Sequence, residues 1–70
     1  MRILIIVERT GTGYSAFSPD LPGCVASGAT QSDVEVAMRG AIELHLAGMR
    51  AEGMAPPEPQ AYATVVEVAA

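Results

Sequence analysis

The groups able to do chemistry in this chain are few: one cysteine, Cys24, one histidine, His45, and eight carboxylates. A cysteine or serine nucleophile needs a base within hydrogen-bond reach, and His45 is the only imidazole on offer. It falls in the middle of an apolar helical stripe, where it reads as a packing residue with its polar end satisfied. Cys24 directly follows Pro22-Gly23 at a strand start and has no cation nearby in sequence to lower its pKa. It reads as a small buried hydrophobe. One cysteine and one histidine exclude an intrachain disulfide and any one-chain zinc site with four sulfur or nitrogen ligands. Asp33 and Glu35, two apart on a helix, point about 200° away from each other, so they do not form a metal pair. Gly11-Thr12-Gly13 joins two strands with no helix behind it to hold a phosphate, which makes it a hairpin loop. Catalysis, metal and cofactor are all expected to be absent.

What positions these residues is one small domain, residues 1–70. Seventy residues give a core that typically supplies only ~3–5 kcal/mol. With disulfide and metal excluded, self-association is the remaining way to stabilise it. Half the residues are apolar and 17% are charged, so the chain is expected to fold. The net charge is −4, lysine is absent, and Arg2, Arg9, Arg39 and Arg50 are scattered. No basic patch exists for phosphates, so direct binding of DNA or RNA is not expected. The acidic balance suits a basic protein partner, and it is also an ordinary solubility charge. The longest apolar run, Ile3–Val7, is far too short to span a bilayer, and no cleavage signal follows it. A cytoplasmic protein is expected.

The run from Arg2 to Glu8 is apolar on both faces of its alternation, with Ile3, Ile5 and Val7 on one and Leu4 and Ile6 on the other. That predicts a strand buried on both sides. Tyr14–Ser18 returns antiparallel as a second strand. Pro22 and Gly23 have the residue types of the two central positions of a turn, and Cys24–Ser27 follows as a short third strand. Thr30 caps a helix with Asp33 three residues on. One broad side of that helix carries Val34, Ala37, Met38, Ala41, Ile42, Leu44, His45, Gly48 and Met49, and the opposite side carries Glu35, Arg39, Glu43 and Arg50. Gly53 and then Pro56, Pro57 and Pro59 stop it. Tyr62–Val68 alternates as a fourth strand. The fold class is thus α+β, strand-strand-strand-helix-strand, with one helix on one face. A single helix covers only one face of the sheet, so Ile3, Leu4, Ile5, Ile6 and Val7 are the candidate homo-oligomer surface, with the choice between the two sets left open.

The stretch from Tyr14 to Pro59 resembles the HicB-like family, the antitoxin half of HicA–HicB toxin–antitoxin pairs. The carriers are Tyr14 with Ala16, the Ser18-Pro19-Asp20-Leu21-Pro22-Gly23-Cys24 stretch, Gly28-Ala29-Thr30, Ala41-Ile42-Glu43-Leu44, and Gly53 followed by Pro57-Glu58-Pro59. Ala29 stands where the family usually has Asp, and Val34 where a small alanine is common. The resemblance implies a sheet like a truncated ribonuclease H without its metal-binding carboxylates, with the last strand beside the first and parallel to it. It also implies a non-catalytic module that neutralises a small RNA-cleaving toxin resembling HicA by protein contact. Many longer relatives add a DNA-binding segment after this point, and no counterpart is expected here. The candidate partner interface is Pro19, Asp20, Leu21, Pro22 and Gly23. The alternative is an orphan self-associating domain with another protein or small-ligand partner.

Overall fold

The N-terminal apolar run becomes strand β1 over Ile6–Arg9 only, paired antiparallel with β2, Tyr14–Ser18. The four residues before it, expected in the strand, lack a ladder for a geometric reason. Ile6 lies opposite Phe17, so Ile5 and its predecessors run past the point where β2 turns away. The connecting loop is closed by the Thr10 amide donating to the Gly13 carbonyl at 2.8 Å. The Thr12 amide also donates to Thr10 Oγ1 at 3.3 Å. A computed structural model describes all 70 residues.

Strand β3 runs Leu21–Gly28, longer than the expected Cys24–Ser27, and the sheet order is β1-β2-β3. The tight turn is Pro19-Asp20, because Ser18 pairs with Leu21. Phe17 pairs with Val25, so Pro22, Gly23 and Cys24 have no residue opposite them and form a bulge. Gly23 therefore does adopt a positive φ, +83°, but inside a bulged strand and not at the hairpin tip where the Pro-Gly pair was expected.

The alternation set by this register decides which face is covered. Ala16 lies between Val7 and Ala26, and with Leu21 and Cys24 it faces the helix; Ile3 and Ile5 pack on the same core. The opposite face carries a cross-strand row of Ile6, Phe17 and Val25. Val25 in that row is 64% exposed. Ile6 is thus on the uncovered face, and Val7, opposite Ala16, is on the helix side.

Helix α1 spans Gln31–Ala51. Thr30 Oγ1 accepts the Asp33 amide at 3.0 Å, as its capping role requires. At the other end Gly53 donates to the Arg50 carbonyl and Met54 to the Met49 carbonyl, the paired bonds of a Schellman stop. Val34 and Met38 are fully buried, with Ala41, Ile42, Leu46 and Met49 around them. The stripe is rotated from the sequence expectation: Leu46 joins the core, while Ala37, Gly48 and Leu44 are exposed. Glu35, Arg39, Glu43 and Arg50 face solvent as expected. The helix sits close to the sheet at Gly28, where a Cβ would lie 2.6 Å from the Val34 nitrogen.

Tyr62–Val68 departs from its expected role. It joins no ladder, so the sheet has three strands and β1 is a free edge. Tyr62 and Val65 are 83% and 93% exposed. The radius of gyration is 13.9 Å, against about 11 Å for a fully packed chain of this length. The excess matches a C-terminal arm that leaves the body.

Candidate partner-binding site

The residues picked out between β2 and β3 divide into structural and accessible ones. Leu21 is buried in the core; Pro19, Pro22 and Gly23 are exposed. Asp20 is half-buried and already occupied. Its Oδ1 accepts the backbone amides of Gln60 at 3.1 Å and Ala61 at 3.3 Å. Its carboxylate thus pins the root of the C-terminal arm to the β2–β3 turn, 40 residues away in sequence. A charged acceptor makes these bonds stronger than neutral ones.

Around this turn lies a surface that sequence reasoning only partly found. Pro22 and Asp20 line a hollow of about 520 Å³ with Leu44, His45, Glu52 and Met54. A second hollow of about 310 Å³ adjoins it, sharing Leu44 and His45 and adding Gly23, Cys24 and Val25. The Pro22–Cys24 bulge is the ridge between β3 and the C-terminal half of α1. Leu44 is 76% exposed and Met54 is also open to solvent, while Asp20 and Glu52 supply negative charge beside them. An apolar shelf with an acidic margin is the result. Sequence reading places Leu44 on the helix's core side, but it sits at the margin of the stripe, where a small rotation of the helix decides whether it is core or surface. Met54 and Glu52 follow the helix stop, where periodicity has ended.

Cys24 and His45 do border the same hollow. Burial pushes the Cys24 thiol above its ordinary value of 9.0, which disfavours the thiolate a nucleophile requires. Neither side chain makes a hydrogen bond to the other. No three His, Cys, Asp or Glu side chains converge as a metal site. The two hollows together present Leu44, His45 and the Pro22–Cys24 bulge on one continuous surface. No helix is long and apolar enough to cross a membrane.

Comparison with known proteins places the chain in a family. The family model described as "HicB_like antitoxin of bacterial toxin-antitoxin system" matches residues 2–69. The chain is 36% identical over 55 residues to a UPF0150 protein of Helicobacter pylori, covering 79% of this chain and 76% of that one. It is 38% identical over 45 residues to an uncharacterized 14.9 kDa protein in the rep-hol intergenic region of Haemophilus phage HP1. That match takes in 64% of this chain but only 34% of the phage protein, so the chain spans about a third of that relative's length. No solved structure matches. With nearly its whole length covered by the family model, the chain belongs to the HicB-like antitoxins of bacterial toxin–antitoxin systems.

Proposed function

We propose that this chain neutralises a small, basic, RNA-cleaving toxin resembling HicA by covering it, with no chemistry of its own. The observation that carries the reading is the shelf around the Pro22–Cys24 bulge. Exposed Leu44 and Met54 offer an apolar anchor site, and Asp20 and Glu52 offer charge of the sign a toxin must lack on its RNA-holding surface. Apolar residues at the centre of such a contact supply most of the affinity, and the acidic margin speeds and orients the encounter. The net charge of −4 acts in the same direction. Nucleic acid then reaches the complex through the toxin, and the pair works in the cytoplasm, where the toxin's RNA substrates are.

The test is inhibition of the RNA-cleaving activity of a small basic toxin resembling HicA, sought first in the reading frame adjacent to this chain's gene. Stoichiometric addition of the wild-type chain is expected to stop cleavage. Leu44→Asp places a charge in the anchor site and should weaken inhibition by a hundredfold or more without unfolding the chain, since Leu44 lies outside the core. Full inhibition by Leu44→Asp would exclude the shelf as the contact.

A further inference from the structure

The unfinished side of the sheet offers a second interaction surface, and its partner is written into the same chain. Beyond the helix and the ladders the backbone makes six hydrogen bonds, none of which engages Arg2–Ile5 or Tyr62–Ala70. One segment is therefore an unpaired extension of edge strand β1, and the other is an unpaired arm of strand-like composition. Between the segment preceding β1 and α1 lies an open hollow of about 470 Å³, lined by Ile3, Ile5, Ile42 and Leu46 with charged helix residues at its rim. No arm residue borders it. An apolar socket beside an open edge, and an apolar strand with nothing to pair, are complementary halves of one sheet.

We infer that two copies of this chain exchange their C-terminal arms, each Tyr62–Val68 adding antiparallel to the partner's Arg2–Val7. Charge selects the register. With Glu67 opposite the partner subunit's Arg2, Val66 meets Ile3, Thr64 meets Ile5 and Tyr62 meets Val7 on the helix side. Val65 then meets Leu4 and Ala63 meets Ile6 on the outer face. Every apolar position of the first strand gains a neighbour, and the single charge of the arm gains an opposite one. Val66 and Thr64 then point to the side where the Ile3/Ile5 hollow lies.

Direction argues for a partner's arm and against the chain's own. Asp20 fixes the arm's root at the β2–β3 turn, and Pro59, Ala61, Tyr62 and Ala63 border a hollow with Arg2–Ile5 at the start of the first strand. From that root a chain running onto its own β1 has to lie parallel, which sets Glu67 near Glu8 when Tyr62 is level with Ile3. Pro56, Pro57 and Pro59 stiffen the hinge, and beyond it Val65, Val66 and Val68 are exposed. The four exposed large side chains of one arm amount to on the order of 500 Å². Two exchanged arms with the surfaces they cover reach roughly the size of a standard interface. The exchange is isologous and closes as a dimer.

Cysteine pairing in the full-length protein tests the register and the exchange together. In a Cys24→Ala background, one chain carries Arg2→Cys and another Glu67→Cys. Opposed positions in an antiparallel pair lie within disulfide range. Oxidising the mixture is expected to give a cross-linked heterodimer at least tenfold more abundant than the homodimers of either variant alone. A chain carrying both cysteines that closes into a disulfide-bonded monomer would overturn the exchange, as would failure of the mixture to cross-link. Independently, Val66→Asp should turn a sedimenting dimer into a monomer with an unchanged circular dichroism spectrum from the helix. A Val66→Asp protein that stays dimeric, or a wild-type chain that is monomeric at micromolar concentration, would also overturn it.

Discussion

The two long sides of the sheet differ in how completely the chain finishes them. On the β3 side each element is closed within the chain: Ser18 pairs with Leu21 across the Pro19-Asp20 turn, and the Schellman stop of α1 satisfies the helix's last carbonyls. What stays exposed there is a small shelf of Leu44, Met54 and Pro22 with acidic neighbours. On the β1 side the edge, the Ile3/Ile5 hollow and the arm are each incomplete. A finished surface with a few apolar anchors suits a different protein. An unfinished sheet edge facing a spare strand suits the same protein again. The difference teaches that completeness of hydrogen bonding separates the two edges of the sheet, and on the proposed reading it assigns partner capture to one and self-association to the other.

The largest expected effect tests the body that both sides share. Met38→Ala empties the core under the helix and should cost about 3 kcal/mol, most of what a chain of this size has. Chemical denaturation should show the variant largely unfolded, with both self-association and toxin inhibition lost. Gly28→Ala attacks the same joint from the strand, since its new methyl meets the Val34 backbone, and should destabilise by about 1–3 kcal/mol.

Next come changes that ought to separate the two sides. Leu44→Asp should weaken toxin inhibition by a hundredfold or more and leave the sedimentation coefficient of the free protein unchanged. Loss of both properties would show that the sides are one surface. Asp20→Ala reaches across the divide, because it lies at the shelf yet holds the arm's root. It removes two charge-assisted bonds and should lower stability by about 1–3 kcal/mol. Its dimer should also be weaker than wild type by size-exclusion at low micromolar concentration.

Smaller effects probe single residues on the finished side. Thr30→Ala removes the helix cap and should cost about 1 kcal/mol in urea denaturation. Cys24 gives a pH signature. Its thiol titrates above 9.0 when folded and near 9.0 when unfolded, so the unfolded chain releases its proton first. The stability that this neutral thiol contributes is fully present below pH 9 and falls as pH rises through the folded value. Cys24→Ala should flatten that alkaline loss, and alkylation of native Cys24 at neutral pH should be slow.

Sequence reasoning reached the body of the fold because its signals were local. The Thr30 cap, the Gly53 stop and the alternation of Tyr14–Ser18 each depend on neighbours a few residues away, and each appears as expected. Pro22-Gly23 misled because bulge and turn demand the same conformations: a proline φ followed by a positive φ. Only the pairing of Ser18 with Leu21 distinguishes them. Leu44 and Leu46 exchanged places because composition cannot fix a helix's rotation about its axis at the margins of a broad stripe. The uncovered face became identifiable only once the register showed Ile6, Phe17 and Val25 in one row. Tyr62–Val68 has the composition of a strand, and nothing in its residues says whose sheet it completes.

Amide hydrogen exchange on the free chain and on its complex with the RNA-cleaving toxin tests the two-sided account most directly. The account predicts that Ile3–Ile6 and Tyr62–Val68 are already protected in the free protein at micromolar concentration. Toxin should add protection at Gly23–Val25 and Leu44–Met54 and leave the arm unchanged. Protection of Tyr62–Val68 that arises only when toxin is added would contradict it, because the arm would then belong to the toxin and the chain would have a single interaction side.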